Sequence, residues 1–438
     1  MGDAVQRGPD PRRHVPSVAA MLDDPRLRGH NDRLGRSIVK AVARDVQQVI
    51  RQGDLAPQEA VDAIIAALPE QASSLRAVHN ATGVIVHTNL GRAPLSQAAV
   101  EAVVAAAGYT DVEMDLADGH RARRGRFTLS VLSRAVPQAE AVHVVNNGAA
   151  ALALAATALA SGREILLSRG EFVEIGDGFR IPELLSSTGA RIHEVGTTNR
   201  TRLADYAQAV GPQTGFILKI HPSNFTVRGF TAEVGLAELA TLGVSVVADI
   251  GSGLLAPDGL LPDEPDATTA LKDGASLVIA SADKLLGGPQ AGLIFGAAAE
   301  VDSLRRHPLA RALRVDKLTL AALEATLTGP RTPVRQALQL PLAELQERSQ
   351  LFAKSLRGHG IDAQVVPVEA VVGGGGAPGT VLPSCAIALP SYLARRLRAG
   401  TPPVVGRVVR DQLLLDLRCV LEADDDQVLA AVIKAEAA

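Results

Sequence analysis

Lys284 is the residue of this sequence whose type and setting most favour covalent chemistry. It follows an apolar run that begins at Ser276, and a second apolar run, residues 291–295, comes after a turn rich in glycine and proline. Short apolar runs that end at turn residues are typical of buried strands, so Lys284 is predicted to lie where a buried strand ends. Because burial disfavours the ammonium form, such a lysine has a lowered pKa, and its uncharged amine can condense with a carbonyl group.

Pyridoxal phosphate (PLP) is the carbonyl cofactor that this amine suggests, and it requires an acid beside its pyridine nitrogen and a binding site for its phosphate. Residues 244–250, VSVVADI, predict a buried strand that carries Asp249 near its end, before a Gly-Ser-Gly turn. A carboxylate there can keep the ring nitrogen protonated, which makes the ring an electron sink. Asp249 is therefore the predicted partner of the ring nitrogen.

A predicted helix start upstream offers the phosphate site. Residues 142–145 predict a strand that leads through Asn147 and Gly148 into a helix beginning at Ala149. The N–H groups and the dipole of a helix N-terminus bind anions, and the Ser281 hydroxyl can add a further contact. The order of the motifs, with the phosphate turn first, the aspartate second and the lysine third, matches PLP enzymes of the aspartate aminotransferase fold.

Each motif by itself also has a structural explanation. Asp249 is well placed to cap the turn before Gly251, the Asn-Gly pair is a common helix cap, and Lys284 has Asp283 beside it as a salt-bridge partner. The three strand ends together favour a ligand site, because ligands of open α/β folds bind at the carboxyl edge of the parallel strands. No metal site is predicted.

Three further residues are candidates for contacts with cofactor or substrate. His221 ends a predicted strand at the same sheet edge as Asp249; a lone histidine is structural by default, but this position favours a cofactor or substrate contact. Arg311 and Arg314 share one face of a helix because they are three residues apart. Guanidinium groups held together indicate an oxyanion between them, and pairing with nearby acids is the structural alternative.

The remainder of the chain predicts an α/β architecture. Strand-like and helix-like segments alternate through the middle of the sequence, which favours a mostly parallel sheet flanked by helices. Hydrophobic residues make up 47% of the 438 residues, which suffices for a large domain accompanied by smaller ones. A helix over residues 333–357 and four later strands predict a smaller C-terminal α/β domain. Its glycine run, residues 373–380, lacks the lysine of a phosphate loop and is predicted to be a flexible hairpin linker.

The N-terminal segment differs in charge from the rest. Residues 1–52 contain ten basic and six acidic residues, whereas the whole chain has a net charge of -3. Two helices are predicted, over residues 34–50 and 57–68, so a small helical domain with a basic face is expected, and such a face suits nucleic acid. A solvated helix face explains the same charges without a partner. The predicted domains are residues 1–75, 76–312 and 313–438.

Cysteine content and hydropathy indicate where the protein works. Cys385 and Cys419 form no disulfide framework and suit a reducing compartment such as the cytoplasm. No secretory signal is recognised at Met1, and no apolar run of about 20 residues predicts a membrane span.

Long blocks of the sequence resemble the bacterial selenocysteine synthases, the L-seryl-tRNA(Sec) selenium transferases. The resemblance covers nearly the whole chain and is carried by NATGVIVHTNLGRA, SRGEFVEIGDGFRIP, HEVGTTNRT, HPSNFTVRGF, ADIGSG, SADKLLGGPQAG, HPLARALRVDKLTLAALEATL and LLLDLRC. Blocks of this length are far more specific than any single cofactor motif. Residues 121–126 depart from the family pattern, so no role is assigned to their arginines.

The resemblance implies a PLP-dependent transferase of fold type I that converts L-seryl-tRNA(Sec) to L-selenocysteinyl-tRNA(Sec), with selenophosphate as donor. Lys284 would form the Schiff base and Asp249 would hold the ring nitrogen. The reaction would pass through a seryl aldimine and an aminoacrylyl-tRNA. Arg92, Arg311 and Arg314 would bind the oxyanion of the donor. The basic N-terminal domain would bind tRNA, and the protein would be a homo-oligomer built from dimers.

Two other functions stay open at this point. One is a PLP-dependent lyase of a small phosphorylated amino acid or amino sugar acid, which would use the same arginines for the phosphate of its substrate. The basic N-terminal domain disfavours it. The other is a non-catalytic tRNA-binding protein that has kept the fold, which the intact Lys284 and Asp249 disfavour.

Overall fold

The computed structural model describes residues 15–176 and 178–437, and the chain divides into two compact units, Met1–Ala77 and Val78–Ala438. The described part of the first unit contains four α-helices, α1 (Val18–Leu22), α2 (Arg28–Leu34), α3 (Arg36–Gln52) and α4 (Ala60–Ala67). Both helices predicted for this segment are confirmed, with bounds that differ by a few residues. Arg7, Arg12 and Arg13, which contribute to the basic charge of residues 1–52, lie outside the described residues.

Helix α3 shows why this unit forms its own core. Its buried residues Val39, Ala43, Val46 and Ile50 recur every three or four positions and therefore lie on one face. They join a cluster that includes Ile64 of α4. Helix α3 ends at the C-cap residue Gly53, whose φ of 89° lies in the left-handed region that favours glycine.

The second unit alternates strands and helices along its first part. In chain order these elements are β1 (His79–Asn80), β2 (Val84–Val86), α5 (Gln97–Ala106), α6 (Arg126–Ala135), β3 (Ala141–Val145), α7 (Gly148–Ala160), β4 (Glu164–Ser168), β5 (Glu174–Gly176), β6 (Phe179–Arg180), α8 (Ile181–Ser186), β7 (Arg191–Val195), α9 (Leu203–Ala209), β8 (Thr214–Ile220), α10 (Leu236–Ala240), β9 (Val246–Gly251), α11 (Ala267–Lys272), β10 (Leu277–Ser281) and β11 (Gly292–Gly296).

After β11 the chain first forms five α-helices and then the strands of the C-terminal part, with one α-helix among them and one after them. The remaining elements are α12 (Ala298–Arg306), α13 (Pro308–Ala312), α14 (Lys317–Thr328), α15 (Pro333–Gln339), α16 (Leu342–Gly358), β12 (Gln364–Gly373), β13 (Val381–Pro390), α17 (Leu393–Ala399), β14 (Val404–Val405), β15 (Arg407–Val409), β16 (Gln412–Leu415) and α18 (Asp425–Ala437). Among the described residues, no helix is both long and apolar enough to cross a membrane.

A seven-stranded sheet in the order β3-β11-β10-β9-β8-β4-β7 forms the centre of the second unit. Only β11 runs antiparallel to its neighbours, so the other six strands point in one direction. Separate apolar clusters cover the two faces, which explains why these strands are continuous apolar runs. The carboxyl ends of β3, β9 and β10 therefore share one edge, as the strand-end motifs predict.

A second sheet, in the order β15-β16-β13-β12-β2, belongs to the C-terminal part of the chain. Its last strand, β2, comes from residues 84–86 and pairs with β12 through Val84↔Val371 and Val86↔Gly373. The chain thus begins its second unit in the smaller sheet before it enters the larger one. This pairing spans almost 290 positions of sequence, and no local pattern of apolar residues predicts it.

The single helix predicted over residues 333–357 is wrong, because the structure has two helices there. Helix α15 ends at Gln339 and α16 begins at Leu342. The break falls before Pro341, which cannot continue a helix because it lacks an N–H and crowds the preceding turn. The glycine run forms the turn of the antiparallel hairpin β12–β13, as predicted.

Candidate active site

The residues predicted to hold a cofactor converge at the carboxyl edge of the large sheet. Ser281 ends β10 and Lys284 follows it, Asp249 lies in β9, and His221 follows β8. Gly148 and Ala149 begin α7. All of them line one pocket. The pocket is the point where strand ends from distant parts of the sequence meet the start of a helix.

Lys284 is nearly buried, with 9% of its surface exposed. Burial lowers the pKa of its amine, and the charges of Asp249 and Asp283 oppose that effect without cancelling it. An amine with a lowered pKa is uncharged in a larger fraction of molecules, and only the uncharged form attacks a carbonyl carbon. The environment of Lys284 is therefore that of a nucleophile.

Asp249 lies beside this amine. Burial raises the pKa of its carboxyl group to about 6, while the positive charge of Lys284 and the N–H of Gly251 favour the ionised form. The backbone N–H of His221 donates to the carbonyl oxygen of Asp249 at 2.9 Å, which ties β8 to β9. A carboxylate at this depth gains from a cationic partner such as a protonated ring nitrogen.

The start of α7 has the chemistry of an anion site. Asn147 caps the helix, because its Oδ1 accepts from the N–H of Ala150 at 2.8 Å. Its side chain does not line the pocket, so a cofactor role for Asn147 stays a prediction. A Cβ atom at Gly148 would lie 2.8 Å from Oγ of Ser281, so glycine keeps open the space beside this hydroxyl. The first N–H groups of a helix have no partner within it and point into such a space.

These residues fit pyridoxal phosphate. Lys284 offers the amine for its aldehyde, Asp249 a carboxylate for its ring nitrogen, and Ser281 with the N-terminus of α7 a site for its phosphate. A second lysine near a strand end, Lys219, forms ion pairs with acidic residues that do not line this pocket. Its Nζ contacts Glu171 at 2.8 Å and Glu233 at 2.9 Å.

Arg92 is close to the pocket without lining it. Its Nη1 contacts Oδ2 of Asp283 at 2.8 Å, and its positive charge acts on the pKa of Lys284. The guanidinium lines a neighbouring cavity together with Pro333 and Arg418. The structure thus connects Arg92 to Lys284 through the adjacent aspartate.

Arg311 and Arg314 line a different cavity. They share it with Arg123, Arg305 and His143, and they do not reach the pocket of Lys284 within one chain. Burial, followed by the charges of Arg305 and Arg123, lowers the pKa of His143 to about 4. This concentration of positive charge is suited to an anion.

Glu113 pairs with two of the four arginines, in residues 121–126, whose role the sequence leaves unassigned. Its carboxylate contacts Arg121 and Arg124, each at 3.2 Å, as well as Arg314 at 3.4 Å. These guanidiniums hold the pKa of Glu113 below its usual value, with the hydrogen bond from Arg124 as the largest cause. Arg121 and Arg124 thus have acidic partners within the chain.

Glu264 is a residue of the site that sequence analysis misses. Its side chain is 1% exposed, and its Oε2 lies 3.3 Å from Nε2 of His221. The same oxygen accepts the N–H of Ala377, from the glycine run, at 2.6 Å. In the sequence Glu264 stands in the acidic, proline-rich stretch LPDEPD, which resembles a solvated loop.

Comparison with known proteins places the chain among selenium transferases. Residues 78–421 match the family described as L-seryl-tRNA selenium transferase, and residues 12–51 match the family described as selenocysteine synthase N terminal. The L-seryl-tRNA(Sec) selenium transferase of Moorella thermoacetica is 42% identical over 97% of this chain and 96% of its own. That of Geobacter sulfurreducens is 42% identical over 95% of this chain and 98% of its own.

A solved structure supports the fold. D-Glucosaminate-6-phosphate ammonia-lyase is similar to this chain with a TM-score of 0.58, at 19% sequence identity, over 83% of this chain and 97% of its own. The prediction of fold type I, with a large, mostly parallel sheet flanked by helices, is confirmed.

Proposed function

The chain belongs to the L-seryl-tRNA(Sec) selenium transferase family, and we propose that it performs the reaction of that family at the pocket of Lys284. It is a pyridoxal phosphate enzyme that converts L-seryl-tRNA(Sec) to L-selenocysteinyl-tRNA(Sec), with selenophosphate as the selenium donor. The observation that supports this site is the meeting of a nearly buried lysine, a carboxylate and a helix N-terminus in one pocket at the carboxyl edge of the sheet.

When bound, pyridoxal phosphate supplies an electron sink for the negative charge that develops at the α-carbon of the seryl group. Lys284 would have two tasks: its Nζ would hold the cofactor, and the same amine, when free, would take the α-proton of the seryl group. The lowered pKa of this amine suits both, because each requires the uncharged form. Asp249 would hold the ring nitrogen in its protonated state. The β-hydroxyl of serine would then take up a proton and leave as water, and the selenium of selenophosphate would form a bond to the β-carbon. Its Se–P bond would break with transfer of the phosphoryl group to water as phosphate, and a proton would return to the α-carbon.

Arg92, Arg311 and Arg314 are the proposed ligands of selenophosphate. Arginine suits this task, because its planar fork matches phosphate oxygens and it does not compete with Lys284 as an amine. Since Arg311 and Arg314 line a separate cavity of the single chain, a second copy would have to bring them to Lys284. Donor binding by these two residues and assembly into a homo-oligomer of dimers are therefore linked proposals.

We assign a separate role to each of the three predicted domains. Residues 1–75 form the tRNA-binding domain, residues 76–312 hold the cofactor, and residues 313–438 form the small α/β domain. Four compact helices in the described part of the first unit are consistent with an independent binding module. We place the enzyme in the cytoplasm, which suits Cys385 and Cys419, since both are free thiols in the structure.

The test combines cofactor spectroscopy with tRNA turnover. Protein loaded with PLP is expected to show the absorbance band of a lysine-bound cofactor, and Lys284→Ala should lack it. Wild type should convert seryl-tRNA(Sec) in the presence of selenophosphate and leave seryl-tRNA(Ser) unchanged. Deletion of residues 1–75 should abolish binding of seryl-tRNA(Sec) while the cofactor band persists. A cofactor band without any preference for tRNA(Sec) would contradict the proposal and favour a lyase of small substrates.

A further inference from the structure

One carboxylate oxygen links the cofactor pocket to the C-terminal domain. Oε2 of Glu264, in the loop between β9 and α11, accepts the N–H of Ala377 at 2.6 Å and lies 3.3 Å from Nε2 of His221. The other oxygen, Oε1, is buried and has no hydrogen-bond partner among the residues that the structure describes. Both contacts of the Glu264 carboxylate therefore use Oε2.

The segment that Ala377 belongs to lies directly on Lys284. We call residues 373–380 the glycine hairpin, since they form the turn between β12 and β13. A Cβ atom at Gly375 would lie 2.5 Å from Cε and 2.7 Å from Nζ of Lys284. The φ of Gly375 is 99°, in the region that favours glycine. Sequence analysis predicts a flexible linker here, whereas the structure shows a cover over the lysine.

We propose that Glu264 is a positioning residue, which holds the glycine hairpin against Lys284 and orients the imidazole of His221, and that Gly375 preserves the space in which the Lys284 amine moves. The inference rests on the proposed function, because that function assigns Lys284 its role toward pyridoxal phosphate.

The physical basis is the strength of a buried, charged acceptor. Hydrogen bonds to a carboxylate in a low-dielectric interior are stronger than bonds between neutral groups, and they are costly to leave unmade. Truncation of Glu264 removes the acceptor of Ala377 and of His221 at once. The hairpin then loses its hydrogen bond to the loop between β9 and α11, which gives water easier access to Lys284, whose lowered pKa results chiefly from burial.

Hydrogen exchange of the full-length apoprotein tests the connection without any cofactor. In Glu264→Ala, amides of the glycine hairpin should exchange at least about tenfold faster than in wild type, because one buried, charge-assisted bond is lost. Glu264→Gln keeps an oxygen acceptor and should stay within about threefold of wild type. The control Glu369→Ala removes an exposed carboxylate from β12 and should change nothing. Unchanged exchange in Glu264→Ala would overturn the proposal.

A pair of glycine variants tests the contact with Lys284. Gly375→Ala places a methyl group against the lysine, whereas Gly379→Ala has a similar positive φ of 79° and its Cβ meets only a methyl of Thr226, at 3.4 Å. Both variants add a methyl group to a glycine of positive φ in the same hairpin, so a large difference between them reports chiefly the contact with Lys284. Gly375→Ala should slow formation of the lysine-bound cofactor band by at least about tenfold relative to Gly379→Ala. Equal rates in the two variants would overturn the role of Gly375.

His221 provides the third readout. If Glu264 orients its ring, loaded Glu264→Ala should show a pH titration of the cofactor band that differs from wild type, and Glu264→Gln should restore the wild-type curve more closely. Identical curves for Glu264→Ala and wild type would contradict the orienting role. A wild type that forms no cofactor band would instead refute the proposed function, and the exchange comparison would still stand on its own.

Discussion

Arg92 and Asp283 form an ion pair of 2.8 Å between residues that are 191 positions apart in the sequence. Asp283 directly precedes Lys284. The φ of Arg92 is 67°, which is uncommon for a residue other than glycine. The N–H of Ala93 also donates to the carbonyl oxygen of Asp283. The loop after β2 is thereby attached to the residue next to the nucleophile.

Opposite shifts are expected when the two members of this pair are neutralised. Asp283 raises the pKa of Lys284 and Arg92 lowers it. Asp283→Asn should therefore move the pH at which Lys284 becomes reactive downward, and Arg92→Ala should move it upward. The measurement is the pH dependence of Lys284 acetylation in the apoprotein, followed by peptide mass spectrometry. Shifts in the same direction would contradict the electrostatic account.

Asp249 makes the stability of the apoprotein depend on pH. Its pKa is raised from 3.8 to about 6, chiefly by burial, so the folded state binds more protons than the unfolded state between these values. This carboxyl group contributes stability that is complete below pH 3.8 and is lost as the pH rises through about 6. Asp249→Asn has no carboxyl group at this position and does not lose this stability. Its free energy of unfolding at pH 7 should therefore exceed that of wild type by on the order of 2–3 kcal/mol.

Urea unfolding of both apoproteins between pH 4.5 and 8 checks this expectation. The difference in the free energy of unfolding should grow as the pH rises to about 6 and then level off. Asp273→Asn serves as the control, because Asp273 is an exposed carboxylate at the end of α11. A difference that stays constant with pH would show that the carboxyl group of Asp249 does not titrate in this way.

Gly148→Ala should weaken cofactor binding with little effect on the fold. The added methyl group would lie 2.8 Å from Oγ of Ser281, in the space assigned to the phosphate, and alanine is a good helix former. We expect the dissociation constant of pyridoxal phosphate to rise by at least about tenfold. Gly211→Ala is the matched control, because a Cβ there meets nothing within 4 Å. Equal affinity in both variants would exclude the start of α7 as the phosphate site.

Lys219 is expected to be a structural residue. Its amine neutralises Glu171, whose side chain is 10% exposed, and burial raises the pKa of that carboxyl group. Lys219→Met leaves this carboxylate buried without a cation and should cost about 3–5 kcal/mol of unfolding free energy. Glu233→Gln removes the outer partner, which is 79% exposed, and should cost less than about 1 kcal/mol. Urea unfolding of the two variants measures both losses of unfolding free energy. Similar losses would contradict the structural role of Lys219.

Local patterns account for what was predicted correctly. Apolar runs that stop at glycine or polar residues locate β3, β9 and β10, and the residues that follow them carry the cofactor chemistry. These features depend on neighbours in the sequence, so they can be read without a structure. The shared direction of the strands then brings Lys284, Asp249 and Gly148 to one edge. Pro341 is a local signal for the break between α15 and α16, which the prediction of one helix over residues 333–357 overlooks.

Other features of the site exist only because of tertiary packing. The glycine run resembles a linker, Glu264 a residue of a solvated loop, and residues 84–86 part of the large domain. The structure instead places Gly375 on Lys284, joins Glu264 to Ala377, and pairs β2 with β12. Strand order and domain packing determine these contacts, and the partners are separated by some 90 to 290 residues. The sequence by itself thus determined which groups carry the chemistry, whereas the tertiary structure decided what covers and orients them, because burial and contact depend on neighbours in space.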